Sequence, residues 1–369
     1  EYVNLDSNTD HGPELPGTRK ANAFGLFNMQ GCVQEWCRDY VRSYEARAIV
    51  DPQGPTEGQN RVLRGSTFDC GTAWYMRSAI RSQRLPQQAK LLVGFRVVCE
   101  AKPPESPPPA VAPFDANQAK AHQEAWARHL GVKVETTNSI GMTFRLMPPG
   151  EYLRGDAADA EGSNAMSQPR HRVRLVSPFY LGATEVTNAQ YDAVVGPPKA
   201  KPGLTDHPVV GVSWLDAVRF CHILNERQAE RQAGRRYRLV ADAEWEYACR
   251  AGTDALSYFP REQIAQHAWF ADNSGGKTNP VGKLQPNPWG LFDMIGNVHE
   301  WCADWYDPHY YAGSPRHNPR GPDAGERRSA RGGSWRHDIK YARCAARSSL
   351  APNKCFADFS FRLAAGAVT

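Results

Sequence analysis

The chain has 369 residues, with 41% hydrophobic and 22% charged side chains, 31 glycines, 28 prolines and ten tryptophans, and a mean hydropathy of −0.59. No apolar run approaches the roughly 20 residues that cross a bilayer, which excludes a membrane span. The formal charge of +5 is scattered along the chain, not gathered into the basic stripe of a nucleic-acid binder.

In chain order, residues 102–113 (KPPESPPPAVAP) cannot hold a helix or a central strand and read as a semi-rigid linker. Residues 114–130 carry apolar side chains at helical spacing and predict a connecting helix. Residues 171–180 (HRVRLVSPFY) alternate as a half-buried strand does. Thr187 and Ser213 are placed as caps of helices that open at Asn188 and Trp214, the second running to about 224. Residues 242–249 (DAEWEYAC) predict another helix, with Gly252 as a stop signal just beyond. Helices are few and loops many, so the fold class is α+β with short strands. The nine cysteines include no CxxC pair and no zinc-ligand spacing, which leaves the compartment open.

The chain also resembles itself. Residues 22–39 (NAFGLFNMQGCVQEWCRD) parallel residues 287–304 (NPWGLFDMIGNVHEWCAD), and Arg64, Arg81, Pro86 and Phe95-Arg96 parallel Arg331, Arg347, Pro352 and Phe361-Arg362. The offset stays within 265–267 residues throughout, a register that indicates duplication. The first copy has only 21 residues before the shared block, against about 150 for the second. It therefore reads as the back half of a module, and a half-module encloses a core poorly. The expected domains are residues 1–101 as a partial module, 102–130 as linker and connecting helix, and 131–369 as a complete module.

The landmarks of the second copy name a family. Residues 138–144 (NSIGMTF), 184–188 (TEVTN), 207–214 (HPVVGVSW), 243–250 (AEWEYACR), 290–301 (GLFDMIGNVHEW), 331–335 (RGGSW) and 361–362 (FR) resemble the formylglycine-generating enzyme, or sulfatase-modifying factor, domain, a variant of the C-type lectin fold. The resemblance implies that fold, with a partial second copy in residues 1–101. Oxidase members of the family hold copper with two cysteines five residues apart, just after the Gly-Gly-Ser-aromatic turn. Here residues 334–343 (SWRHDIKYAR) contain no cysteine, and the first copy has Cys70 but Tyr75 in the second place. Copper(I) prefers thiolates, so no copper is expected. Another branch uses nonheme iron held by a helical histidine motif, which His122 and His129 do not reproduce, so no iron is expected either. Residues 211–215 (GVSWL) lack the final glycine of a nucleophile elbow, and Ser213 is better read as a cap.

A third branch, the variable proteins of diversity-generating retroelements, binds ligands through exposed loops between the same turn and the final Phe-Arg. By that resemblance the candidate ligand-binding residues are Trp335, Arg336, His337, Asp338, Lys340, Tyr341, Arg343, Leu350, Asn353, Lys354, Phe356, Asp358 and Phe359, a mixed aromatic and charged set suited to recognition. Family structures also imply a Ca²⁺ site at Asp293, Gly296, Val298 and Glu300, with Asn28, Gly31, Val33 and Glu35 as the first-copy equivalents. They further imply a disulfide or close contact between Cys249 and Cys344, with Cys221 free. The recurring tryptophans read as core anchors, and the recurring arginines as stitches between loops.

The expected function is that of a non-catalytic ligand-binding or display protein, with a protein or other macromolecule meeting loops about 335–360 and no nucleic-acid or membrane partner. The alternative is a formylglycine-generating-type oxidoreductase acting on a cysteine-containing peptide or a thiol.

Overall fold

A computed structural model describes residue 15 and residues 17–44, 54–70, 77–98, 105–196 and 203–367; Tyr75 and Cys99 lie outside the described residues. The chain forms two compact units, residues 1–103 and 104–369.

Unit 1 is built on four short strands, β1 (Gln34–Tyr40), β2 (Arg61–Arg64), β3 (Ser82–Arg84) and β4 (Val93–Gly94), in the order β3-β2-β1-β4. β1 pairs antiparallel with β2 (Glu35 opposite Arg64) and parallel with β4 (Glu35 opposite Gly94), and its register shifts between Trp36 and Tyr40.

Unit 2 opens with β5 (Ala110–Val111), inside the Pro-rich stretch, and α1 (Ala116–Leu130). Asp115 caps α1 in a reciprocal capping box with Gln118. Gln123 and Trp126 fix this helix to the unit: Gln123 Nε2 donates to the Leu146 carbonyl at 2.9 Å, and Trp126 is buried in the core. Then come β6 (Glu135–Thr137), β7 (Thr143–Met147), β8 (Gly150–Arg154), β9 (His171–Leu175) and β10 (Phe179–Gly182). The single strand expected over 171–180 is two. Pro178, which lacks an N–H for the ladder, falls in the break, and β9 and β10 join different sheets.

Helices α2 (Asn188–Val195) and α3 (Trp214–Glu226) start where Thr187 and Ser213 predict, each hydroxyl accepting an N–H three residues on, at 3.2 Å and 3.1 Å. A short α4 (Gln228–Gln232), β11 (Tyr237–Leu239) and α5 (Asp242–Arg250) follow. Helix α5 ends at Ala251 in the left-handed region (φ 45°), one residue before Gly252.

The rest of unit 2 contributes β12 (His299–Trp305), β13 (Arg328–Arg331), β14 (Arg347–Leu350), β15 (Phe359–Ser360) and β16 (Leu363–Gly366). One sheet runs β11-β16-β10-β7-β6, a second β14-β13-β12-β15 and a third β5-β8-β9. The second sheet has the strand order of unit 1. Glu300 lies opposite Arg331, β12 runs parallel to β15, and the register shifts between Trp301 and Trp305. Two apolar clusters fill unit 2, one around Trp245 and Trp289, the other around Trp301, Phe220 and Phe361.

Equivalent positions differ sharply in burial. Trp289 and Phe361 are 1% and 0% exposed, whereas Phe24 and Phe95 of unit 1 are 89% and 75% exposed. Leu26, Met29 and Val97 are exposed as well.

Candidate functional site

The loop surface rests on a buried ionic layer. Arg331, at the end of β13, meets Asp242 and donates to Glu246 at 2.9 Å. Arg154 also pairs with Asp242 at 2.5 Å, and Arg347 donates to the Met166 carbonyl at 2.9 Å. Burial works against ionisation here, yet the Arg331, Arg154 and Arg347 guanidiniums hold the Asp242 carboxyl well below the usual range. Against the same burial, Arg331, Arg250 and Arg154 hold Glu246 down at about 2. Arg362 binds both oxygens of Glu300 and donates to the Gly182 and Phe292 carbonyls at 3.0 Å each. The recurring arginines thus stitch the loops together. In unit 1 Arg64 reaches the Ser78 and Ile80 carbonyls, Arg81 the Arg42 carbonyl and Arg96 the Glu35 carboxylate.

Above this layer, Gly332 and Gly333 turn the chain with φ of 94° and 75°, which favours glycine. Trp335 N–H then donates to the Asn297 carbonyl at 2.9 Å, and Ser334 Oγ donates to Asp358 at 2.9 Å. Asp358 in turn accepts His299 N–H on its main-chain carbonyl at 2.8 Å. Asp338 accepts Lys340 N–H at 2.9 Å and starts a single 3₁₀ turn through Tyr341.

These contacts join residues 334–338 and 356–359 into one surface, and they sort the thirteen candidate residues. Arg336, Asp338, Lys340, Tyr341, Asn353, Lys354 and Phe356 are exposed. Trp335, His337 and Leu350 are half-buried, Leu350 packing against the core. Arg343, Asp358 and Phe359 are buried and brace the surface from beneath. Arg343 pairs with the buried Asp156, 187 residues earlier. Phe359 stacks near Trp301 at 5.0 Å.

One side chain escaped the sequence reading. His299, the first residue of β12, lies 4.8 Å from the His337 ring, centroid to centroid. With Asp358 it makes a group whose ligand-capable atoms lie within 4.8 Å of one another, the one such group of three among the described residues. Burial, helped by the nearby His337, pushes His299 down to about 4, and burial lowers His337 too. Both rings are therefore neutral at pH 7.

The calcium set behaves differently. Both Glu300 oxygens are engaged by Arg362, one of them also by Trp245 Nε1 at 2.8 Å, so Glu300 does not fit as a ligand. Asp293 accepts Gly282 N–H at 2.7 Å through one oxygen, and the other is buried without a partner, as is one oxygen of Glu185. Burial raises Asp293 to about 6 and, with the Asp293 charge, raises Glu185 well above the usual range. Gly296 and Val298 lie in the turn leading into β12, Val298 fully buried. In unit 1 Glu35 is held by Arg96 in the same way; Asn28 Oδ1 accepts Gly17 N–H at 3.4 Å, and Gly31 N–H donates to Ser66. Val33 is half-buried just before β1.

Cys249 and Cys344 are both fully buried free thiols in contact with each other, and burial raises Cys249 strongly. Cys221 is also a free thiol, raised by burial to about 12. No cysteine lies in the 334–343 loop, and no helix among the described residues is long and apolar enough to cross a membrane.

The family described as "Sulfatase-modifying factor enzyme 1-like domain" matches residues 7–101 and 133–367. The formylglycine-generating enzyme of Streptomyces coelicolor is 33% identical over 287 residues, taking in 59% of this chain and 87% of that protein. Among solved structures, PvdO from Pseudomonas aeruginosa is similar with a TM-score of 0.57 and 28% identity, over 63% of this chain and 97% of that one. Treponema denticola variable protein 1 is similar with a TM-score of 0.54 and 27% identity, over 63% of this chain and 99% of that one. The fold is therefore the C-type lectin-like one of formylglycine-generating enzymes and variable proteins, and the chain belongs to the sulfatase-modifying factor enzyme 1-like domain family.

Proposed function

We propose that this chain is a ligand-binding protein that uses the scaffold as a display platform, with residues 335–343 and 350–360 as the contact surface. The observation that carries the reading is the division of labour in those loops. Arg336, Lys340, Tyr341, Lys354 and Phe356 face solvent, while Arg343, Asp358 and Phe359 hold the backbone beneath them. A rigid base under exposed aromatic and cationic side chains supplies contact area at low entropic cost. The likeness to the Treponema variable protein and the lack of any thiol in the turn where oxidase relatives carry theirs support it. The partner is a protein or other macromolecule. The second reading, an oxidoreductase acting on a cysteine-containing peptide or thiol, is supported by the 33% identity to the Streptomyces enzyme.

Sequencing the codons for residues 336–343 and 350–360 across a source population, together with the adjacent DNA, separates the two. Substitutions concentrated there beside a near-copy template support display. Invariant codons, together with copper-dependent oxygen consumption on a thiol peptide by the purified chain, overturn it.

A further inference from the structure

We propose that His299, His337 and Asp358 form a binding site for a divalent first-row transition ion in the floor of the loop surface. The proposal does not depend on the display reading. Three separate stretches of chain bring these residues together: the start of β12, the turn after Gly333, and the residue before β15. The parallel pairing of His299 with Phe359 and the bond from Ser334 to Asp358 fix their approach.

The second observation is an orphan. His299 Nδ1 is buried and has no hydrogen-bond partner, although a buried polar atom ordinarily finds one. The ring also packs against Phe359, with centroids 4.7 Å apart, which offers Nδ1 no acceptor or donor. A buried imidazole with a ring nitrogen left unpartnered is what a metal ligand looks like without its ion. Edge-to-face contact with His337, at 63°, packs the rings but leaves Nδ1 unsatisfied. A cation between Nδ1, His337 and Asp358 satisfies it.

The donor set decides the ion. Two neutral imidazoles and one carboxylate suit Zn²⁺, Fe²⁺, Co²⁺, Ni²⁺ or Cu²⁺, whereas Ca²⁺ takes oxygen ligands and Cu⁺ prefers sulfur. Ligand atoms of a coordination sphere with a radius near 2.1 Å lie about 3–3.5 Å apart. The observed spread of up to 4.8 Å closes by rotation of His337, the half-exposed member, which also gives the ion its way in. Three protein ligands leave positions open for water or for a donor atom of whatever meets the loops.

The test uses the full chain without an affinity tag, stripped with chelator and titrated with Co²⁺ and Zn²⁺, with Ca²⁺ as contrast. The expected result is one Co²⁺ per chain with visible d–d absorption, displaced by Zn²⁺ and untouched by millimolar Ca²⁺. His337→Ala and Asp358→Asn should each weaken binding tenfold or more and change the spectrum, while His129→Ala leaves both unaltered. His337 is half-exposed, so its variant should keep the wild-type near-ultraviolet dichroism and remain informative if an Asp358 variant misfolds. A folded wild type with no saturable Co²⁺ or Zn²⁺ site overturns the proposal. So does binding that survives unchanged in His337→Ala.

Discussion

Glu300 and Arg362 form a two-pronged ion pair with both N···O contacts at 2.6 Å and both side chains fully buried. The same pairing recurs in unit 1 between Glu35 and Arg96, but there the two side chains are 18% and 37% exposed. Removing one partner of a buried pair strands the other charge, which costs about 3–5 kcal/mol. An exposed pair contributes about 0–1 kcal/mol. Glu300→Gln should therefore lower unfolding stability in denaturant by several kcal/mol, and Glu35→Gln by less than about 1 kcal/mol. Equal losses would show that exposure does not distinguish the two pairs.

The loop residues divide in the same way. Arg336, Tyr341 and Phe356 are exposed, so single alanine replacements should leave stability within about 0.5 kcal/mol of wild type while weakening ligand capture. Arg343→Ala strands the buried Asp156 and should cost about 3 kcal/mol. Thermal melts of the four variants check this. A stable Arg343→Ala protein would move Arg343 from bracing residue to contact residue.

The helix starts and the family landmarks were legible because their signals are local: Thr187 and Ser213 each bond a backbone N–H three residues away. The strand over 171–180 was misjudged where periodicity outweighed Pro178. Arg343, Asp358 and Phe359 have the chemistry of a contact surface, yet they are buried against partners far along the chain. Asp156 lies 187 residues from Arg343, and nothing near either residue announces the pair. His299 was missed for the same reason. Its neighbours His337 and Asp358 arrive from a later turn and from the residue before a parallel strand, and β12 alone points to neither.

Buried acids give stability a falling dependence on pH. Burial, with the Asp242 charge, raises Asp304 to about 7, and burial raises Asp293 to about 6. In the unfolded chain both titrate near 3.8. Each is protonated in the folded state where the unfolded chain has already lost its proton. Their contribution to stability is complete below about 4 and is lost as pH rises through 6 and 7. Glu246, held at about 2, acts oppositely and only below about 4.5. The lowered histidines, His299 foremost at about 4, act oppositely between about 4 and 6.5, so the acids' contribution shows as a downward slope of stability against pH relative to a variant that lacks one of them. Asp304→Asn should flatten that slope, by up to about 1.4 kcal/mol per pH unit for one proton. An unchanged slope in Asp304→Asn would exclude Asp304 as the titrating group.

Equivalent positions of the two units differ in exposure. Phe24 and Phe95 are largely exposed where Trp289 and Phe361 are not, and Leu26, Met29 and Val97 are exposed as well. Large aromatic side chains left this exposed are suited to binding an apolar surface. The full chain should therefore bind an amphipathic dye such as anilinonaphthalene sulfonate under native conditions, with its melting transition intact. Phe24→Ser with Phe95→Ser should remove most of that fluorescence and cost little stability, since neither ring is packed. If the double variant keeps the dye signal, the dye is reporting another surface. If it loses stability instead, those two rings are covered in solution.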